Sequence, residues 1–160
     1  TMPLTKSAIK LDDLDIRILN ALQHDSAVSN LELAQQVHAS APTCLRRVRR
    51  LTEAGMIEKQ VAILNPDKLG NSLTAICEIT LNTQTEQAFA AFEQQIQQEA
   101  RVLQCYRVSP GPDFILVAQV QDMPAYHALA HRLFTEQGNI RNVRTFFSVH
   151  RSKFNTHSLL

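Results

Sequence analysis

Four arginines fall within five positions of the run Ser40-Ala-Pro-Thr-Cys-Leu-Arg-Arg-Val-Arg-Arg-Leu51, and this crowding constrains the chain more than any other stretch. At 100° per residue, Cys44, Val48 and Leu51 make one narrow apolar stripe. Arg46, Arg49 and Arg50 lie roughly opposite it with Pro42 and Glu53, and Arg47 sits at the stripe's margin. The spacing predicts a helix that buries one side in a small core and presents guanidinium groups on the other. A solvated face beside acidic neighbours explains such a run equally well when it is read alone, so the flanking sequence has to decide.

The chain has 160 residues, 44% of them hydrophobic and 19% charged, enough for one ordinary domain or two small ones. No apolar run approaches the ~20 residues of a spanning helix, and the first ten residues lack the apolar core of a secretory signal. A cytoplasmic location is expected, with no membrane partner. Thr1 ahead of Met2 reads as a remnant with no part in the fold. Cys44, Cys77 and Cys105 each sit in an apolar pattern and are expected to be buried free thiols. A net charge of +1 gives no general basic footprint. Positive charge is local: between Leu11 and Gln60, Arg17, Lys59 and the arginine run oppose Asp12, Asp13, Asp15, Asp25, Glu32, Glu53 and Glu58. A concentrated patch on a near-neutral module implies a directed contact rather than general adhesion.

Upstream of the run, Leu11, Leu14, Ile18 and Leu22 are spaced by three, four and four after an acidic start, which predicts an amphipathic helix ending near Asp25. Asn30 is placed as the cap of a short second helix facing inward through Leu33, Ala34 and Val37. After a connection at His38–Ala41, Ser40 caps the arginine helix, Pro42 lies in its first turn and Gly55 closes it. Two helices joined by so short a turn, the second one basic, form a helix-turn-helix. Ile57, Val61 and Ile63 then read as a strand, followed by a turn at Asn65-Pro66-Asp67.

The second half alternates strands and helices. Strands are expected at Leu73–Leu81, Val102–Val108, Asp113–Gln121 and around Val143–Val149. Helices are expected at Thr85–Glu99 and from Asp122 to Gly138. The order β-α-β-β-α-β gives a four-stranded antiparallel sheet with both helices on one face, the ferredoxin-like arrangement. Ile76 and Phe146 point to the uncovered face, so a second copy is expected there and the chain should be at least a homodimer.

The pattern Leu11-Asp-x-Leu14-Asp15-x-x-Ile18-Leu19, then Glu32-Leu33-Ala34-x-x-Val37, then Arg47-Val48-x-x-Leu51-x-x-Ala54-Gly55-x-Ile57 resembles the leucine-responsive/asparagine-operon regulator family, Lrp/AsnC. Ala62-x-Leu64-Asn65-Pro66-x-x-Leu69-Gly70 resembles that family's hinge. His38 departs from the pattern, which usually has glycine in the turn, so some backbone strain is expected there. The resemblance implies an α+β chain. A winged-type helix-turn-helix domain with a β hinge strand would span residues 8–64, and a ferredoxin-like effector-binding and oligomerisation domain residues 65–160. It also implies dimers that assemble further, often to octamers, with an effector amino acid held between dimers.

Candidate DNA-binding residues are Ser40, Pro42, Thr43, Arg46, Arg47, Arg49 and Arg50. Arginine reads guanine bidentately or holds phosphate, and Ser40 and Thr43 at the helix start suit phosphate. Arg47, at the core margin, is as suited to pairing with Asp13 or Asp15. By resemblance, the effector site draws on Ser109, Gly111 and Asp113 of the Ser-Pro-Gly-Pro-Asp-Phe loop, with Met123 and the Thr145–Ser148 segment, including Phe147. Pro110 stands at the family's glycine position. With Pro112 it leaves only Ser109, Gly111 and Asp113 to donate backbone N–H groups, while the loop alone also reads as a plain β-turn. An apolar amino acid such as leucine or methionine is the expected effector.

His127 and His131 stand at i, i+4 without a third ligand, so they are read as solvated, and no metal or cofactor is expected. Nucleophile elbows and Gly-rich phosphate loops are absent from the sequence. The chain therefore reads as a DNA-binding transcriptional regulator and not an enzyme. Two other readings stay open: a tetrapyrrole-modifying enzyme using His127, His131, Arg107 and Arg144, and a DNA-organising protein that needs no effector.

Overall fold

The computed structural model describes residues 9–71, 73–136 and 138–160. Thr1, and Ala8 at the start of the expected N-terminal domain, lie outside them. The chain forms two compact units, one made of the residues up to Ile63 together with Lys153–Leu160, the other of Leu64–Ser152.

In the first unit, α1 (Asp13–His24) starts at a reciprocal capping box. Asp12 accepts from the Asp15 N–H at 2.9 Å, and the Asp15 carboxylate accepts from the Asp12 N–H at 3.1 Å. The cap of α2 (Asn30–Val37) is Ser29 and not Asn30, because Ser29-Asn30-Leu31-Glu32 is itself a capping box and satisfies two helix-end N–H groups at once. Asn30 instead donates through its Nδ2 to the Ala41 carbonyl at 2.8 Å, tying the start of α2 to the start of α3 (Ala41–Glu53). Ser40 caps α3, and Gly55 closes it at φ 78°, with Met56 N–H donating to the Leu51 carbonyl at 2.9 Å. Ile18, Leu33, Ala34, Val37, Cys44 and Leu51 make the buried core.

The strand expected around Ile57–Ile63 is not formed. This segment has no ladder bonds to the described residues, and Val61, Ile63 and Leu64 are exposed. A strand exists only against a second strand, and no other described segment pairs with it.

The second unit holds β1 (Leu73–Leu81), α4 (Glu86–Gln97), β2 (Val102–Arg107), β3 (Phe114–Val120), α5 (Met123–Ala130) and β4 (Ile140–Phe147). The strands form one antiparallel sheet in the order β2-β3-β1-β4. That is the ferredoxin-like topology expected from the element order. Alternate β1 residues Ala75, Cys77, Ile79 and Leu81 and β3 residues Phe114, Leu116, Ala118 and Val120 are buried with Phe92 and Ile96 of α4 and Tyr126 and Leu129 of α5.

Two boundaries differ from the sequence reading. The helix begun by α5 does not run evenly to Gly138 but widens into a π-helical turn at His131–Thr135. The last strand lies at Ile140–Phe147, with Val149 beyond it fully exposed. The Ser148 N–H donates to Thr74, near the start of β1, at 2.9 Å, so past this point β1 offers no further partner.

Candidate nucleic-acid interface and effector site

α3 buries Cys44 and Leu51, with Val48 packed against the same core, and turns Pro42, Leu45, Arg46, Arg49 and Arg50 outward. Its N-terminus is ordered by side chains: the Ser40 hydroxyl accepts from the Thr43 N–H at 3.3 Å and donates to Thr43 Oγ1 at 2.8 Å. Arg46 reaches back to the same Thr43 Oγ1 at 3.5 Å. Arg46 and Arg49 have no acidic partner among the described residues.

The other two arginines are anchored. Arg47 donates to Asp12 at 2.6 Å and to Asp15 at 3.0 Å, and Arg50 donates to the other oxygen of Asp15 at 2.5 Å. The pairing of Arg47 with Asp15 matches one of the two alternatives expected; its second partner is Asp12 rather than Asp13. Arg50 differs from its outward assignment in that one amino group is turned back to Asp15, while its side chain stays 43% exposed. Asp15 is the only buried charged group among the described residues. Burial pushes its carboxyl up, but the Asp12 N–H and the two guanidinium groups outweigh burial and hold it below the ordinary value. Asp12 is held at about 2, chiefly by the Asp15 N–H and then by Arg47. The buried carboxylate thus locks the position of α3 on α1 and leaves Arg46 and Arg49 as the outward arginines with no carboxylate partner among the described residues. Arg17 adds a brace, donating to the Val37 carbonyl at the end of α2 at 3.3 Å.

The residues expected to hold an effector are not gathered in one chain. Asp113 lies by the C-terminal end of β1: its N–H donates to Ile79, and its carboxylate accepts from the Leu81 N–H at 2.7 Å and from Gln84 at 3.4 Å. Ser109 and Gly111 lie in the same loop, Gly111 at φ 119°. Met123 and Phe147 lie by the other end, since Val120 pairs with Leu73 and Phe147 with Ala75. At about 3.3 Å per residue, the six residues from Ala75 to Leu81 separate the two groups by about 20 Å, more than one amino acid spans. Thr145 and Phe147 face the helices. Thr145 shares a hydrogen bond with the Tyr126 hydroxyl at 2.5 Å, and Phe147 meets the Tyr126 ring edge-on. Nothing in the sequence signals this role of Tyr126 beyond the inward spacing of its helix.

The four side chains considered for tetrapyrrole binding do not converge. Arg107, opposite the buried Phe114, lies on the helix side and pairs with Glu86 and Glu93. Arg144 stands over Phe146 on the uncovered face. His127 is exposed, and His131 contacts Glu136 at 3.3 Å. Among the described residues no cluster of three or more His, Cys, Asp or Glu side chains suits a metal. Nor is any helix there long and apolar enough to cross a membrane. Cys44 and Cys77 are buried and Cys105 is half-buried; all three are free thiols, pushed up by burial.

The uncovered sheet face carries Ile76 and Phe146 as a directly opposed cross-strand pair, 37% and 41% exposed. The half-buried Ile115 and Val117 of β3 and the exposed Tyr106 of β2 extend it.

Residues 74–157 match the family model described as the Lrp/AsnC ligand binding domain, and residues 11–58 match a winged helix-turn-helix DNA-binding model. An HTH-type transcriptional regulator of Haemophilus influenzae, itself uncharacterized, is 35% identical over 143 residues, covering 89% of this chain and 85% of that one. The leucine-responsive regulatory protein of Klebsiella pneumoniae is 38% identical over 136 residues, covering 85% and 83%. Among solved structures, an AsnC family transcriptional regulator from Agrobacterium tumefaciens superposes with a TM-score of 0.87 at 30% identity, over 93% of this chain and 97% of the other. A transcriptional regulator from Neisseria meningitidis, solved as an L-Met complex, gives a TM-score of 0.82 at 28% identity over 92% and 95%.

Proposed function

This chain belongs to the Lrp/AsnC family of DNA-binding transcriptional regulators, and on that premise we propose that α3 enters the major groove of an operator while the C-terminal domain senses an apolar amino acid. The observation that carries the reading is the division of labour among the α3 arginines. Arg47 and Arg50 fix the helix through Asp15, and Arg46 and Arg49 stand on its outer face beside Pro42 and Thr43 without acidic partners among the described residues. Arg46 and Arg49 make the base and phosphate contacts, Ser40 and Thr43 place the helix N-terminus at a phosphate, and Arg50 adds a phosphate contact with its unpaired donors. Arg47 acts by orientation.

The functional unit is a homodimer joined through the Ile76/Phe146 face, assembling further to an octamer. Family membership and the apolar, uncovered sheet support this. An effector then sits where copies meet, because only a neighbouring copy brings a Ser109–Asp113 loop to the Met123 and Phe147 end. The backbone N–H groups of Ser109 and Gly111 receive the carboxylate, the Asp113 N–H being taken by Ile79, and Met123 lines the side-chain pocket. Leucine or methionine fits such a pocket, and the L-Met complex of the Neisseria meningitidis relative supports that choice. Binding there biases assembly or subunit rotation, and so the number of α3 helices that meet successive major grooves about 34 Å apart.

The test is DNA binding across a salt series, with and without a panel of apolar amino acids. Replacing Arg46 or Arg49 by alanine is expected to flatten the logarithmic salt slope by about 0.9 for each phosphate no longer neutralised. Unchanged slopes with unchanged affinity would remove the α3 reading. Operator affinity and particle mass that ignore every amino acid would remove effector sensing.

A further inference from the structure

The segment after β4 makes a contact that neither DNA reading nor effector capture uses. Gln23 of α1 and Ser158 are 135 positions apart, yet their polar groups are paired reciprocally: Gln23 Nε2 donates to the Ser158 carbonyl at 2.8 Å, and the Ser158 N–H donates to Gln23 Oε1 at 2.8 Å. A planar side-chain amide that meets both the N–H and the C=O of one residue does what a residue of a neighbouring β-strand does. Gln23 is oriented for this, because its other amide hydrogen goes to Asn20 Oδ1 at 2.9 Å. The tail is shaped for it too: the Asn155 side chain accepts from the His157 N–H at 3.0 Å, and the His157 ring lies 6.1 Å from that of His24. These contacts lie within the first compact unit, which includes Lys153–Leu160.

We propose that the face of α1 formed by the exposed Asn20 and His24 and the half-buried Gln23 is a peptide-binding surface whose occupant is the chain's own C-terminal segment. The backbone recognition by Gln23 selects an extended peptide at this point, and the His24–His157 contact adds register. The covalent consequence is that the DNA-binding unit is connected to the second unit twice, through the hinge near Ile63 and Leu64 and again near Ser152 and Lys153. A movement of β4 is therefore felt at α1 through the tail as well as through the hinge. The latch itself does not depend on the proposed effector or operator. Its use as a second route of control rests on the regulator reading.

Amide hydrogen exchange on the intact protein, without DNA or amino acid, tests the latch separately from that reading. In the unaltered chain the Ser158 amide is expected to exchange roughly tenfold more slowly than in the Gln23→Ala variant, the protection of a modest solvent-accessible hydrogen bond. The Ser158→Pro variant removes the tail's donor without touching α1. It is expected to speed exchange at His157, whose N–H is held by Asn155, while the α1 amides keep their protection. Ser158 exchanging at one rate with and without Gln23, or tail amides indifferent to Ser158→Pro, would overturn the proposal.

Discussion

Asp15 of α1 and Arg50 of α3 form an ion pair in which the carboxylate is fully buried and the guanidinium 43% exposed. Arg47 takes the second carboxylate oxygen, so two helices are locked by one charge. The neutral, near-isosteric Asp15→Asn removes the charge while keeping the volume. It is expected to destabilise the helix-turn-helix unit by about 2 to 3 kcal/mol, because hydrogen bonds to charged groups are the strong ones and the side chain has no water to replace them. Chemical unfolding followed by helical circular dichroism measures this. Asp15→Ala adds a cavity beside Ile18 and should cost more.

The same two acids set an acid limit. Asp12 is held at about 2 and Asp15 is lowered, against an ordinary value of 3.8. The unfolded chain therefore binds more protons between these values, and stability falls as pH drops from about 4 toward 2. Above about pH 5 this contribution is complete and flat. Thermal unfolding of the native protein should show that acid loss, and Asp15→Asn should flatten it.

Asp113 carries a prediction in the opposite sense from its expected role. Its carboxylate oxygen already receives the N–H of Leu81, a residue with 1% exposure, and Gln84. Asp113→Ala orphans that N–H and is expected to cost the C-terminal domain about 1 to 3 kcal/mol in the absence of any effector. Amino-acid binding measured at a temperature where both proteins are folded separates the two roles. A stability unaffected by the substitution would refute the brace.

Which features are legible follows from whether their cause is local. Helix spacing, the Ser40 cap, the Gly55 closure and the inward alternation of β1 are set by near neighbours in sequence, and the fold can be read from them. The Ser29–Glu32 capping box is equally local, and its two reciprocal bonds outrank the single cap expected of Asn30. Asp113 with Leu81, Asp15 with Arg50, and Gln23 with Ser158 join positions 32, 35 and 135 apart, where no spacing rule operates. The hinge strand fails for another reason: Ile57, Val61 and Ile63 have strand propensity, but propensity does not supply a partner.

The uncovered sheet yields a prediction about assembly. Ile76 and Phe146 face one another across β1 and β4, and neither touches the buried core. Phe146→Glu should therefore leave the subunit folded while placing a carboxylate beside Arg144 and diagonal to Glu78 on that face, where a second copy would have to bury these charged groups. Sedimentation at micromolar concentration is expected to show monomers for this variant and dimers or larger particles for the parent. A variant of parental mass would place the subunit contact elsewhere.

His38 closes α2 in the left-handed region, at φ 56° and ψ 49°, and is the only non-glycine residue with positive φ among those described. The geometry around it is a complete helix stop: the His38 N–H donates to Gln35 at 3.3 Å and the Ala39 N–H to Ala34 at 3.0 Å. Those bonds use backbone alone, and the imidazole is exposed, so the side chain contributes strain at Cβ without a compensating contact that the turn requires. His38→Gly removes the strain and keeps both bonds, although glycine gains freedom in the unfolded chain. The net expectation is a stabilisation of about 0.5 to 1 kcal/mol, seen as a rise of roughly 3 to 6 °C in the melting of the helix-turn-helix unit. Because the turn angle between α2 and α3 is fixed by the backbone and by Asn30 on Ala41, operator affinity and its salt slope should not change. A glycine variant that melts lower would mean that the imidazole makes a stabilising contact outweighing the strain. One that gains stability but loses affinity would make His38 part of the DNA-facing surface.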